Sequence, residues 1–428
     1  MKDISELDLK LAKYKIDKLT LNIEGYGEYD VNPLYAGSIL MEKDYDNYEF
    51  PFFEIMVALP NKVFRAMKKS NIKIYCYVRM KYAYFKQDDN TGGTESVVSP
   101  KEKLLFAKNF YVYGVEGTPD LTEEFAEKLE EALKITDKNA DLNNMTTTYL
   151  LLYDDKKLQQ ATKIVNEVIT DCTLTDAITR VLNVIGLNKV LMSPEESGKL
   201  YHEFTLLPIR ADEQLEHICN DLHMHSTGTR IFFDIDYNYI VSKSLTCDAW
   251  RPGEYKKTYV IYDPPIEGAK RTQGCCEDAD DECNYCTMCD FTLSTASYMT
   301  EQAYGTAFTS IDSKTGKITD LNSDVDTVGG GRPTPSRVIF NNSGEVGTAD
   351  QMITNLENTS AVWEVIIDSM VIDMLSPNKE FELVFLSNKL SKYNGPYKIA
   401  RFITNFNKTD GMWFTTTTRA QFAGKKKA

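Results

Sequence analysis

The 428-residue sequence predicts a mainly β, α+β fold, with an antiparallel β unit at each end of the chain and a smaller α+β unit between them. Three observations predict it. From about residue 14 to 115, and again from 257 to the end, apolar residues recur with a period of two, the mark of half-buried strands. Between these stretches the period lengthens to that of an amphipathic helix. Finally, 42% hydrophobic and 26% charged residues make an ordinary globular balance, ample for several cores. The units so defined span 1–140, 141–244 and 245–428, the last with a Cys-rich insert over about 266–300. At about 150 residues per domain the length also suggests roughly three.

In the first unit the clearest strand is 72–82. Ile72, Ile74, Cys76, Val78, Met80 and Tyr82 point one way, and Lys73, Tyr75, Tyr77, Arg79 and Lys81 the other. One face is therefore core and the other is wet or meets a partner. A second strand, 52–59, aligns Phe53, Ile55, Val57 and Leu59, and a third runs over 104–115. The stretch 87–100, QDDNTGGTESVVSP, reads as an exposed hairpin loop.

Helical signals follow. Pro119 and the acids behind it open a helix over 120–135. Thr173 with Asp176 is a capping-box variant, ahead of a stripe of Leu174, Ala177, Ile178, Val181, Leu182 and Ile185 that Gly186 terminates. A further helix carries Leu215, Ile218, Cys219 and Leu222, and RIFFDIDYNYIV beyond Gly228 predicts two short strands with a turn near Asp236 and Asn238. In the last unit the strand candidates are 259–262, 337–340, 361–374, 381–385, 397–405 and 412–422, divided by turn signals at 376–378, 394–396 and 410–411. Two excursions interrupt them, the Cys-rich stretch and a loop around Gly329, Gly330 and Gly331.

With 48 Lys and Arg against 63 Asp and Glu, the net charge of −15 makes a poor grip for nucleic acid, whose phosphates demand cationic contacts. Twenty-five Tyr and 20 Phe against four His favour strands and interfaces over proton transfer. The N-terminus has no apolar h-region and no 18-residue apolar run occurs, so neither a signal peptide nor a membrane-spanning helix is expected, and the chain reads as made and soluble in a cytoplasm.

Zincin, α/β-hydrolase and P-loop signatures are absent. His223 and His225 form an H-x-H pair that could offer metal ligands, against the plainer reading of a polar helix end. Asp234, Asp236 and Asn238 imitate the start of an EF-hand loop, but Tyr239 and Leu245 stand where Gly and Glu are required, which rejects calcium. The glycine triplet leads into Arg332-Pro333 rather than a helix, so it presents no helix N-terminus to phosphate.

The cysteines at Cys275, Cys276, Cys283, Cys286 and Cys289 are the exception. Two-residue spacing lets thiolates converge on one ion, so zinc is geometrically reasonable. The run also resembles bacterial ferredoxin spacing, without the following Cys-Pro that an iron–sulfur site would use. Disulfides formed after export or virion release use the same spacing. On any of these readings the stretch is expected to reinforce a long acidic loop, not to define the fold. The remaining cysteines, Cys76, Cys172, Cys219 and Cys247, read as reduced core residues.

Four phrases resemble the central baseplate hub proteins of contractile phage tails, the late control protein D group and the N-terminal part of type VI secretion spike proteins. They are DYDNYEFPFFEIMVAL (44–59), TLTDAITRVLNVIG (173–186), LLPIRADEQLEHICNDLHMHSTGTRIFFDIDYNYIV (206–241) and SPNKEFELVFLSNKLSKYNGPYKIARFITNF (376–406). The Tyr393-Asn394-Gly395-Pro396-Tyr397 turn in the last is similar to the family's final barrel hairpin. The resemblance implies two tail-tube-like barrels flanking the α+β unit and a homotrimer whose paired barrels form a pseudo-sixfold ring. Such a ring joins a sixfold tail tube protein to a threefold central spike within the virion baseplate, beside other baseplate proteins, after assembly in the host cytoplasm. The chain ends at FAGKKKA without a fused spike domain, so the spike is expected to be a separate polypeptide. An acidic wall suits a conduit through which DNA passes without sticking. No catalytic activity is expected. The alternatives are a metal-binding or redox protein centred on the cysteines, or another tail component such as a distal-tail or tube protein.

Overall fold

The computed structural model describes residues 7–45, 50–69, 71–86, 101–118, 125–127, 129, 142–193, 195, 198–222, 224–225, 229–235, 238–242, 258–263, 266–267, 270–271, 274–278, 283–294, 306–312, 318–320, 334–341, 361–368, 380–409 and 412–424. The first block of strands is β1 (Lys10–Ile23), β2 (Gly27–Val31), β3 (Ala36–Asp44), β4 (Phe52–Pro60), β5 (Ile74–Lys86), β6 (Lys103–Thr118) and β7 (Met145–Tyr153). Their alternation is the one read from the sequence: Ile74, Cys76, Val78, Met80 and Tyr82 on β5, and Phe53, Ile55, Val57 and Leu59 on β4, are all buried. β7 pairs with both β4 and β6, so the sheet of the first unit takes a strand from beyond residue 140. Of the helix expected over 120–135, the described residues 125–127 and 129 are helical, and Phe125 and Leu129 are buried in the main core. The 87–100 loop, the Gly329–Gly331 loop and the turns at 376–378 and 410–411 lie outside the described residues.

The middle segment contributes β8 (Ile164–Cys172), β9 (Val190–Met192), β10 (Tyr201–Arg210), β11 (Thr229–Phe233) and β12 (Asn238–Ser242). Thr173 caps the helix Leu174–Val184 in a two-way capping box with Asp176, and Gly186 ends it at φ +74°, a backbone region where a side chain is strained. The stripe Leu174, Ala177, Ile178, Val181, Leu182 and Ile185 is wholly buried, joined by Leu215, Ile218 and Cys219 from the helix Ala211–Glu216 and its continuation as a π turn over His217–Asp221. β11 and β12 form the expected hairpin, and β9 joins β12 in parallel. The antiparallel pair β8–β10 has no counterpart in the sequence reading; Ile164 and Val168 on β8 point to solvent and break the apolar alternation that would have marked it. Phe50 stacks on Phe233 with ring centroids 4.0 Å apart, fixing this unit to the first.

The last block comprises β13 (Thr258–Tyr262), β14 (Ile266–Glu267), β15 (Lys270–Arg271), β16 (Cys275–Asp278), β17 (Cys283–Thr287), β18 (Asp290–Ser294), β19 (Thr306–Asp312), β20 (Ile318–Asp320), β21 (Thr334–Asn341), β22 (Ala361–Asp368), β23 (Glu380–Val384), β24 (Gly395–Lys408) and β25 (Phe414–Gly424). Each strand candidate of this region contains a strand among the described residues, 361–374 over Ala361–Asp368 only, since 369–374 lie outside them. Among the described residues no helix is long and apolar enough to cross a membrane.

Strands from both ends of the chain merge into one fifteen-stranded sheet, running β16-β17-β13-β23-β24-β3-β4-β7-β6-β5-β1-β25-β22-β18 with β2 on β1. The pairing of β24 with β25 closes eight of these strands (β24, β3, β4, β7, β6, β5, β1 and β25) into a ring. The pairing of β16 with β1 closes a second circuit through β17, β13, β23, β24 and β25. β1, β24 and β25 are common to both. Closure leaves these long strands no free edge, which protects their backbone groups from pairing with other chains. The shared wall is packed from both ends of the sequence: Tyr14 of β1 meets Phe406 of β24 edge-on at 5.2 Å, and Thr404 and Thr418 bond across the β24–β25 pair at 2.9 Å.

The Cys-rich stretch differs from expectation. It is not a loop appended to the fold, because β16 and β17 are members of the main sheet, one of them the strand that closes the second circuit. Of the acidic residues that suggested a loop, Glu277 and Asp278 belong to β16, and Asn284, Tyr285, Cys286 and Thr287 of β17 are all buried, as in a strand covered on both faces.

Candidate functional site

The place where β16 meets β1 concentrates the chemistry-bearing residues. β17 runs parallel to β13 and antiparallel to β16, with Cys275 opposite Cys286, Cys276 opposite Tyr285 and Asp278 opposite Cys283. Gly274 precedes β16 at φ +138°, and a Cβ there would lie 2.8 Å from the Lys10 carbonyl oxygen, so only glycine lets the two backbones approach. Thr287 clamps the entry: its N–H donates to Gly274 O at 3.1 Å, and its Oγ1 accepts from Gly274 N at 3.0 Å. The Cys275 thiol donates to Lys10 O at 3.6 Å.

Alternation then sorts the thiols by face. Cys275 and Cys286, 0% and 2% exposed, join the main core. Cys276 faces the other way, against the small cluster of Val260, Tyr262 and Tyr285. Cys289 lies past the end of β17, where its N–H donates to Ile366 O of β22 at 2.6 Å. For Cys283 the backbone position opposite Asp278 is what the structure describes. Burial, and after it the neighbouring Cys275, Cys276 and Cys289 thiols, push the Cys286 thiol well above its ordinary range, so it is a neutral thiol at neutral pH. Among the described residues no group of three or more His, Cys, Asp or Glu is arranged to hold a metal ion. Cys76, Cys172 and Cys219 are buried free thiols, and burial raises all three; Cys247 lies outside the described residues.

The other sequence candidates have structural employment. His225 is buried with Nδ1 3.1 Å from Thr229 Oγ1, which donates in turn to Cys219 O at 3.1 Å; His223 lies outside the described residues. Asp234 pairs with Lys43 of β3 and accepts from Ile235 N at 2.8 Å, which ties the β11–β12 hairpin to the first unit.

The second face of β1 and β5, left open between solvent and a partner, carries an ionic network. Asp17 pairs with Arg79 and with Lys81 at 3.1 Å, Lys81 reaches Glu102 at 3.4 Å, and Glu102 also holds Lys15. Partial burial works to raise the Asp17 carboxyl, but the bonds from Lys81 and Arg79 outweigh it and hold the group below its usual range; Lys15 foremost does the same for Glu102. On the same sheet an aromatic band crosses four strands: Phe52 on β4 lies 5.0 Å from Tyr153 on β7, Tyr153 is 5.7 Å from Tyr113 on β6, and Tyr111 is 5.7 Å from Tyr75 on β5. Tyr113 is 59% exposed. Aromatic residues are enriched at protein–protein interfaces relative to the rest of the surface.

Comparison with known proteins follows the same direction. The family model of the bacteriophage PBS1 gene 109 protein matches residues 28–249, just over half the chain. This chain belongs to that phage protein family. The family match covers β2 through β12, so it includes the hairpin sheet, the capped helix and the strands that carry the aromatic band. A tail protein from Neisseria meningitidis MC58 aligns over 96% of this chain and 96% of its own, at 10% identity and a TM-score of 0.53. That likeness shows a shared fold along nearly the whole chain. The 43 kDa tail protein of prophage MuSo2 from Shewanella oneidensis aligns over 94% of this chain and 97% of its own, at 13% identity and a TM-score of 0.48. The E. coli c3393 protein, a component of the type VI secretion system, aligns over 95% of this chain and 77% of its own, at 8% identity and a TM-score of 0.47. No curated protein sequence matches. The chain is thus a phage-family protein with a tail-protein fold, as its sequence phrases suggested.

Proposed function

We propose that this member of the PBS1 gene 109 family is a structural component of the phage tail baseplate: a homotrimeric hub joining the sixfold tail tube to a threefold central spike, held in a separate chain, and lining part of the DNA conduit. The observation that carries the proposal is the whole-length fold match to a phage tail protein in a chain that belongs to a phage family. The topology supports it, because closed circuits of strands make a rigid wall and leave outward faces free for neighbouring subunits. The aromatic band and charge network give such a wall a surface suited to burial between copies. No catalytic step belongs to this reading, and the net charge of −15 suits a conduit that does not retain DNA.

The test is the mass and symmetry of the assembled protein, by light scattering of the purified chain and single-particle imaging of the tail. Three copies around the tail axis, between tube and spike, are expected. A sixfold ring would instead make it a tube or distal-tail component. A lumen richer in Lys and Arg than in Asp and Glu would remove the conduit argument.

A further inference from the structure

We propose that Cys275 and Cys286 form a latent disulfide, reduced while the chain folds in a thiol-rich cytoplasm and joined once the protein meets a disulfide oxidant. The inference goes beyond the tail assignment and stands without it. It rests on where the ladder places these two residues. Thr287 N–H donates to Gly274 O at 3.1 Å, so Gly274 and Thr287 occupy a hydrogen-bonded position of the β16–β17 pair. Antiparallel ladders alternate, so the next pair, Cys275 with Cys286, is a non-hydrogen-bonded one. Facing Cα atoms at such pairs lie about 4.5 Å apart, inside the span of about 4.4–6.8 Å that a disulfide bridges.

Directly opposed residues share a face, and both thiols lie in the main core, 0% and 2% exposed. Cys275 is the cysteine placed directly opposite Cys286, whereas Cys276 faces the opposite cluster and Cys289 lies past the end of β17. The Cys275 thiol points to Lys10 O, and a χ1 rotation carries it to Cys286.

The chemistry balances with oxidised glutathione as the oxidant. The Cys275 thiolate attacks one glutathione sulfur, the disulfide breaks, and the leaving thiolate takes up a proton. Cys286, deprotonated in its turn, then attacks the Cys275 sulfur of the mixed disulfide and expels the second glutathione as its thiol. Two cysteine thiols are oxidised and one glutathione disulfide is reduced to two thiols. Because both sulfurs are buried, exchange is slow in the closed structure and proceeds when the end of the β16–β17 hairpin opens. The product would pin the first residue of β16, the one paired with Lys10 of β1, and so lock the strand that closes the second circuit.

The full-length chain is incubated with oxidised glutathione in sub-denaturing urea, alkylated, cleaved with a glutamate-specific protease and analysed by mass spectrometry without reduction. Peptides containing Cys275 and Cys286 should be linked, lighter together by two hydrogen atoms, and separate on reduction. The oxidised chain should melt at a higher temperature than the reduced one. Cys286→Ser should abolish both the link and the shift, whereas Cys276→Ser and Cys289→Ser should keep them. A link from Cys286 to Cys276, Cys283 or Cys289 would overturn the assignment. So would complete alkylation of Cys275 and Cys286 after oxidation, or zinc that co-purifies at one equivalent per chain and protects them until chelated.

Discussion

Trp363 shows how single residues hold the second block of strands. It is 1% exposed, its Nε1–H donates to Tyr397 Oη at 3.1 Å, and that hydroxyl donates to Tyr393 O at 2.7 Å. Phe385, Tyr393 and Phe291 surround the ring at 4.6, 5.1 and 5.8 Å. Trp363→Ala should therefore destabilise by about 3–5 kcal/mol, measured as a fall in the urea midpoint. Tyr397→Phe leaves the indole N–H without its acceptor and should cost about 1–3 kcal/mol. Lys408 makes a different prediction. Its ammonium is half-buried with no carboxylate paired to it among the described residues, donating to Leu34 O and to Ala36 O at 2.9 Å, and burial pushes it down to about 8. Above that value the unfolded chain, with Lys near 10.5, binds more protons than the folded one, so stability from this group should rise between about pH 8 and 10.5 and be lowest below pH 8. Lys408→Met should flatten the stability–pH curve over that window; an unchanged slope would show that the ammonium remains solvated.

Among elements, the helix Leu174–Val184 has the plainest logic. Its cap, its apolar stripe and its glycine stop lie within fourteen consecutive residues, 173–186, and all operate in the fold. Ile178 is 0% exposed, so Ile178→Ala should cost about 2–5 kcal/mol. Thr173→Ala removes the side-chain acceptor for Asp176 N–H and should cost about 0.5–2 kcal/mol. Thermal melts read both, and an unaffected melt for Ile178→Ala would detach this helix from the core. The β16–β17 pair is the contrasting element. Its short strands have no such punctuation, and their placement depends on a glycine that admits the backbone of Lys10 from far away in sequence.

On the scale of the whole molecule, the two ends of the chain depend on each other. β24 hydrogen-bonds β3 over Ser38–Asp44, an ion pair of Arg401 with Glu42 reinforces the seam, and β25 touches β1 at Tyr14. A fragment of residues 1–153 retains β1 to β7 but lacks β24 and β25, so it exposes the outer edges of β1 and β3. Such edges pair with other chains, and the fragment should aggregate or melt without cooperativity. Size-exclusion chromatography and circular dichroism of the fragment check this. A soluble monomer with a sharp transition would show that the first unit closes without the C-terminal strands.

The sequence by itself determined the class, the alternating faces of β4, β5 and the C-terminal strands, and the capped helix with its buried stripe. Each of these follows from local periodicity and local capping, which neighbouring residues decide. It also brought the family into view through phrases spread along the chain. Tertiary structure alone decided that β24 lies on β3, that β16 reaches β1, and that Cys275 and Cys286 share one face while Cys276 takes the other. The physical reason is that a period of two tells which side of a strand is apolar but not which strand lies beside it. Backbone donors and acceptors are alike at every residue, so neighbours are selected by closure and by packing between side chains more than 350 positions apart, as Arg401 and Glu42 are.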